Sequence, residues 1–313
     1  MLKRICTLAA AVVALGLVVV AAQLSPEAQS VLPQGTRQVI SINYRSLAAN
    51  PVAEQLEKRV LPPGMQNLTA LLLQGGVNPA SDLNRLTFAT FAGSKGVGLL
   101  GIAEGNFGGF QTGTFFHKSK AQPQPPQIDG VSVYSTGGMD FYLPDQATLV
   151  FGSREAISAA IATQQGAPQI GENEAMMNLI AGTQSSDIWS VLDASGAQTM
   201  VGGMIAGASS ALPASLIAKR FRGARYTIAV QDPVQVNLEL MTTDALSAAA
   251  VSTALNAEIA MRQKSETDPV VKALLGKIQV DSAGNDAFLQ VSAPQTQIAG
   301  LVNSDLIGSI LPK

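Results

Sequence analysis

His117, in Thr114-Phe115-Phe116-His117-Lys118-Ser119-Lys120, is the only histidine of the chain, and Cys6 is the only cysteine. One imidazole excludes zinc centres built from several histidines and helices that carry two spaced ligands. His117 therefore reads as a surface or strand-edge residue. Serine hydrolysis needs a nucleophile, a base and an orienting acid. Gly207-Ala208-Ser209-Ser210-Ala211 has the outline of a degenerate nucleophile elbow, but that motif needs a strand before it and a histidine after it, and His117 precedes it. No serine lies three residues before a lysine, so a Ser-x-x-Lys pair is missing too. Two-carboxylate catalysis would require the fold to bring together a pair among Asp129, Asp140, Asp145, Asp187 and Asp193. Most of these stand at expected turns or strand ends, where aspartate caps and bends the backbone.

Two further segments carry ligand-like residues without ligand spacing. Gly93-Ser94-Lys95-Gly96 lacks the full phosphate-loop pattern and reads as a hairpin turn. Asp281-Ser282-Ala283-Gly284-Asn285-Asp286 lacks the alternating acids and closing glutamate of a calcium loop, and also reads as a turn. The expectation is a chain with no catalytic, metal or cofactor residues.

Composition narrows the partners. Hydrophobic residues make up 47% of the 313 residues and charged residues 13%, with a formal net charge of -2. Nothing there attracts nucleic acid. Aromatic residues are only 5%, which speaks against an aromatic sugar-binding platform.

Residues 5–22 form an uncharged apolar run behind Lys3-Arg4. Such a segment is an export signal or an inner-membrane anchor, and its length lies between the two. Val20-Ala21-Ala22 offers small residues for cleavage, and Gln23-Leu24-Ser25-Pro26 follows. Cys6 precedes the apolar core, so cleavage would leave a cysteine-free product, suited to an oxidising, extracytoplasmic compartment.

A second uncharged stretch runs from Ala197 to Ala218 and ends against Lys219, Arg220, Arg222 and Arg225. Met200, Gly203, Met204, Ile205, Gly207, Leu216 and Ile217 are its candidate apolar contact residues, with the four cations as a basic flank. Gly203 and Gly207 stand one helical turn apart. The segment is a helix pair buried between two halves of the protein and broken at Pro213, or it contacts an apolar ligand or a membrane surface with its cations on lipid phosphates, or it is a second span, which its glycine content disfavours.

The body that would position these residues reads as α+β in two similar halves. Arg85-Leu86-Thr87-Phe88-Ala89 and Arg225-Tyr226-Thr227-Ile228-Ala229 share Arg, Thr and Ala, and Ala147-Thr148-Leu149-Val150-Phe151 aligns with Ala287-Phe288-Leu289-Gln290-Val291 at the same offset. Each half is expected to open with a strand (39–43; 188–192), continue into a helix (51–60 in the first half), then form a hairpin (86–104; 226–241). A further helix and a meander follow. Thr243-Asp244 caps the clearer second helix, with Ala245, Leu246, Ala249, Val251, Leu255 and Ile259 as its buried stripe. The meander takes in 131–134, 141–143 and 147–151 in the first half and 277–280 and 287–291 in the second, and Ser153 opens a helix to Gln164. Antiparallel sheets with helices packed on one face are the expected architecture. The organisation is a leader (1–22), a linker (23–36), a first half (37–165) and a second half (166–313), meeting along a shared sheet or a groove.

The order strand, helix, Asn78-Pro79-Ala80-Ser81-Asp82-Leu83, hairpin, Gly130-Val131-Ser132-Val133-Tyr134 and Gly152-Ser153-Arg154-Glu155-Ala156-Ile157 resembles a pattern seen in exported bacterial proteins of unknown function. The resemblance covers most of the first half and is looser in the second, where the Gly-Val-x-Val-Tyr and Arg-Glu-Ala-Ile pieces are absent. It implies a fold and a location and carries no catalytic residue. The resulting expectation is a non-enzymatic exported envelope protein that binds a partner protein, a membrane surface or an apolar ligand through the groove between its halves. The alternatives are a hydrolase working with carboxylates or serine without a histidine base, and a self-assembling structural module.

Overall fold

The computed structural model describes residues 23–48, 68–93, 96–115, 125–205 and 220–297. The leader with Cys6, the helix expected at 51–60, His117 and the elbow-like 207–211 lie outside the described residues.

In chain order the elements are α1 (Pro26–Val31), β1 (Thr36–Asn43), α2 (Tyr44–Ala48), α3 (Leu68–Gln74), α4 (Pro79–Asp82), β2 (Leu83–Gly93), β3 (Gly96–Gly105), β4 (Gln127–Ile128), β5 (Val131–Ser132), β6 (Tyr134–Thr136), β7 (Met139–Tyr142), β8 (Thr148–Gly152), α5 (Arg154–Gln164), α6 (Glu174–Ala181), β9 (Ile188–Asp193), α7 (Ala194–Met204), β10 (Phe221–Ala229), β11 (Val234–Thr242), α8 (Ala245–Ser265), α9 (Pro269–Leu275), β12 (Gln279–Ala283) and β13 (Asp286–Ala293). The class is α+β, built on one large antiparallel sheet that does not close.

Eleven strands make that sheet, in the order β12-β13-β11-β10-β9-β1-β2-β3-β8-β7-β6. Its centre is the antiparallel pair β1–β9, in register Val39↔Val191 and Ile40↔Ser190. The two parts of the chain thus meet along a shared sheet. Outward from the centre, one wing runs β2, β3, β8, β7, β6 and the other β10, β11, β13, β12. The expected hairpins form as read: β2 turns into β3 with Gly93 opposite Gly96, and β10 turns into β11 with Ala229 opposite Gln235.

Strand periodicity divides the core in two, because successive side chains point to opposite faces. Ile40, Ile42, Phe88, Phe151, Leu192, Tyr226 and Leu240 belong to one buried cluster. Val39, Phe91, Ile102, Val150, Trp189 and Val191 belong to the other. Helices α3, α7, α8 and α9 bury their apolar residues on the Phe151 face, and α1, α5 and α6 bury theirs on the Trp189 face. The expectation of helices on one face alone is therefore corrected. The central and first-wing strands are apolar on both sides, so both faces need cover. Close approach within the sheet is set by Gly101, directly opposite Phe151: a Cβ there would lie 2.4 Å from the Phe151 ring.

Other expectations shift for local reasons. The stretch read as a linker, 23–36, contains α1, whose N-cap Ser25 accepts from the Ala28 amide, and Leu24, Ala28, Val31 and Leu32 are buried. In the expected strand 131–134, Val131–Ser132 pair with Gln127–Ile128 in a separate small sheet, while Tyr134 pairs with Phe141. On α8, Asp244 caps as expected, accepting from the Ser247 amide, but Leu246 is 75% exposed and the buried stripe runs through Ala248, Val251, Ala254, Leu255 and Glu258.

Candidate functional site

The described part of the Met/Gly segment, residues 197–205, enters the core. Asp193 caps α7 by accepting from the Gly196 amide at 2.7 Å, and the helix then presents Ala197, Met200, Val201 and Met204, three or four residues apart, to the sheet. Met200, Met204 and the following Ile205 are buried in the Phe151-face cluster, and Gly203 is exposed. The contact expected of those three apolar side chains is thus made inside the chain, against the sheet. Gly207, Leu216, Ile217 and Lys219 lie outside the described residues.

The described members of the basic flank are engaged by acceptors of the same wing. Arg220 Nη1 donates to Ser247 Oγ at 3.1 Å and sits 3.8 Å from Asp244. Arg222 Nε donates to the Thr242 carbonyl at 2.8 Å, with Nη2 3.9 Å from Asp286. Arg225 stands directly across from Glu239 and donates to both of its oxygens, Nε to Oε2 at 2.7 Å and Nη2 to Oε1 at 2.8 Å.

The aspartates considered for acid–base work have local structural partners. Asp140 accepts from Ser135 Oγ at 2.5 Å and Arg154 Nη1 at 3.2 Å. Asp145 accepts from the Ala147 amide at 2.7 Å, Asp187 from the Val230 amide at 2.8 Å, and Asp193 caps α7. Asp129 is in a turn at φ 49°. Burial pushes the Tyr226 hydroxyl up to about 12, and raises that of Tyr142 as well, which keeps both neutral at physiological pH.

Two concavities lie beside arginines of the same sheet face. On β2, Arg85 shares the Trp189 face with Ala89 and Phe91, and opposes Glu104 of β3. Arg85 Nη1 is 3.6 Å from Glu104 Oε2, and the other oxygen, Oε1, accepts from the Ser25 hydroxyl. Beside Arg85 is a pocket of about 390 Å³ bounded by Gln23–Pro26, Ser41, Asn43, Ser185, Ser186 and Trp189. It lies at the β1–β9 junction and its lining is mostly polar. Ser25 serves it twice, as donor to Glu104 and as N-cap acceptor, which one hydroxyl can do.

The second concavity, about 250 Å³, lies over the other wing and is lined by Arg225, Thr227, Asn237, Glu239, Phe288 and Gln290, with Gly182–Gln184 as its rim. Here β11 alternates, with Val234, Leu238 and Leu240 buried and Gln235 and Asn237 exposed. Gly182, at the end of α6, is shaped to Arg225, since a Cβ would lie 2.1 Å from Nη1. At the edge of the group, the Asp286 carboxyl is pushed above the usual range by burial and by the nearby Glu239, partly offset by Arg222 and Arg225.

What this site offers chemically is recognition: fixed hydrogen-bond donors and acceptors beside a half-buried aromatic ring. Sequence reading flagged Arg225 for lipid contact and missed its partner Glu239, the rim Gly182, and the Ser25–Glu104 contact. The signal was the repeated Arg-x-Thr-x-Ala, which places Arg85 and Arg225 on the first strand outward from the centre on each wing, opposite Asn43 and Val191.

No family model and no curated protein matches the chain. Among solved structures it is similar to TP0453, a Treponema protein of unknown function. Crystal form I is 11% identical with a TM-score of 0.47, covering 93% of this chain and 100% of that one. Crystal form III is 11% identical with a TM-score of 0.46, covering 90% and 98%.

Proposed function

We propose that this is a non-enzymatic exported protein of the cell envelope that binds a partner through the uncovered polar face of its second wing. One observation carries the reading: on a single sheet face, Glu104 already accepts the Ser25 hydroxyl from a segment of the chain itself, while Glu239 is held at both oxygens by Arg225 beside a pocket. The leader at 5–22 and the absence of cysteine after it support export. The structural engagement of Asp140, Asp145, Asp187 and Asp193 supports binding over catalysis.

We further read the two wings as copies of one plan. The matched pentapeptides fall on β2 and β10, and on β8 and β13, which hold equal ranks outward from the centre. Each wing has an Arg–Glu pair across its first and second strands, and the glutamates face Thr148 and Phe288 on the third. A membrane contact through 197–218 is the weaker reading, because Met200, Met204 and Ile205 are already buried.

The test is expression of the full-length chain in a bacterial host, with a photo-crosslinking residue at Gln290 or, as control, at Val97 on the other wing. Recovery in the envelope fraction, with trapping of one component from Gln290 and not from Val97, supports the proposal. An intact product in the cytosol, or equal trapping from both positions, overturns it.

A further inference from the structure

We infer that the Arg225–Glu239 pocket is a receptor for an extended, hydroxyl-bearing peptide segment of a partner protein, which would place a Ser or Thr hydroxyl on Glu239 as Ser25 is placed on Glu104. This rests on the reading that the open wing binds a partner, and it names the chemistry of that partner.

The argument is an internal precedent. Both pairs join directly opposed residues of the first and second strands outward from β1–β9, and both lie on the Trp189 face. In the first wing the glutamate divides its oxygens. Oε2 faces Arg85 at 3.6 Å, and Oε1 takes the Ser25 hydroxyl of the segment Gln23–Pro26, which runs along the pocket before entering α1. In the second wing Arg225 holds both oxygens of Glu239, at 2.7 and 2.8 Å. An ionised carboxylate has about four lone-pair sites, so a hydroxyl arriving at Oε1 can be accepted while Nε keeps Oε2. The second pair would then take up the divided geometry of the first.

The surroundings suit a peptide. Asn237 Nδ2 and Thr227 Oγ1 are 3.5 Å apart, a long contact that a backbone amide or carbonyl can replace. Gln290 is exposed on the neighbouring strand, and half-buried Phe288 offers an apolar surface. A volume of about 250 Å³ accommodates a short stretch of chain and not a large apolar ligand. A saccharide also carries hydroxyls, but the seated example in this molecule is a peptide.

The probe is a blocked synthetic peptide with the sequence of residues 23–32, titrated into the full-length protein and read by fluorescence anisotropy and by amide shifts at Thr227, Asn237 and Gln290. Binding is expected to weaken at least about 5-fold with the Ser25→Ala peptide and at least about 10-fold with Glu239→Gln protein, a loss of the size expected for removing a charge-assisted hydrogen bond. Thr227→Tyr, which fills the pocket and leaves the ion pair intact, should abolish it and guards against a folding defect in the first variant. Binding that ignores Glu239→Gln and Thr227→Tyr, or no binding, overturns the inference. So does movement of the same amides by chitobiose and not by the peptide. If the peptide fails while crosslinking from Gln290 still traps an envelope component, only the peptide assignment falls.

Discussion

The two wings share a strand order and an Arg–Glu pair, yet one is a layer of core and the other a surface. All five residues of β8 are buried, whereas its counterpart in rank, β13, alternates between buried and partly or fully exposed positions. On the Trp189 face the first wing carries α1 and α5; β11, β13 and β12 carry Gln235, Asn237, Gln290 and Asp281 to solvent. The difference teaches that the neighbouring segment, and not strand position, decides what a cross-strand ion pair does. Beside Ser25 the pair opens, with Arg85 44% exposed, and Glu104 takes a hydroxyl. Beside Gly182 the arginine, 24% exposed, closes on both oxygens.

Breaking the covered wing should cost most. Ile102→Ala removes a fully buried side chain on the Trp189 face of that wing, and should lower unfolding free energy by about 2–5 kcal/mol in denaturant titration. Phe288→Ala on the open wing should cost less than about 1 kcal/mol. Equal losses would erase the contrast.

Ser25→Ala removes both the cap of α1 and the contact to Glu104, for an expected loss of about 1–2 kcal/mol. Faster proteolysis within 23–35 should accompany it if α1 is held to the sheet by that hydroxyl.

Gly182→Ala places a methyl against Arg225 Nη1 and should cost about 1 kcal/mol by pulling the guanidinium off Glu239. In an Arg225→Ala background the same change should cost almost nothing, and a double-mutant cycle reads the coupling. A full cost in both backgrounds would show that Gly182 serves the helix end instead.

The smallest effects are in pH dependence, and two aspartates of the second wing should act with opposite sign. The Asp244 carboxyl is held below 3.8 first by the Ser247 amide and then by the Ser247 hydroxyl. Its stabilisation is present above the unfolded value and lost as pH falls through the lower folded value. The Asp286 carboxyl is raised above 3.8, so the folded state binds its proton more tightly and stability falls as pH rises from about 3.8 through the folded value. Asp286→Asn should remove that fall, and Asp244→Asn should remove the loss at acid pH. Urea midpoints across the acid range measure both.

Much of the fold was legible because its signals are local. Strand runs and turn residues in 86–104 and 226–241 gave both long hairpins, and Asp244 and Ser153 gave helix starts by cap chemistry alone. The failures occurred where a local signal competed with packing. Gln23-Leu24-Ser25-Pro26 looks like linker, but its Ser-Pro is a cap and first turn, and Leu24, Ala28, Val31 and Leu32 find a core only once the sheet is present. Leu246 belongs to the apolar period of α8, yet it points to solvent because the helix meets β12 and β13 through Ala248, Val251 and Leu255. Met200 and Met204 looked equally fit for a membrane or a core, since an apolar stripe does not state its partner.

The uncharged apolar run at 5–22, charge poverty, the α+β pattern and the repeated Arg-x-Thr-x-Ala are properties of sequence, set by composition and by periods of 2 and 3.6 residues that need no distant neighbour. The pairing of Arg85 with Glu104 and Arg225 with Glu239, the burial of one face by α1, and the exposure of its counterpart were decided by tertiary structure alone. Strand register and helix cover join residues far apart in the chain, and only their folded positions determine which carboxylate meets a hydroxyl and which is held at both oxygens by an arginine.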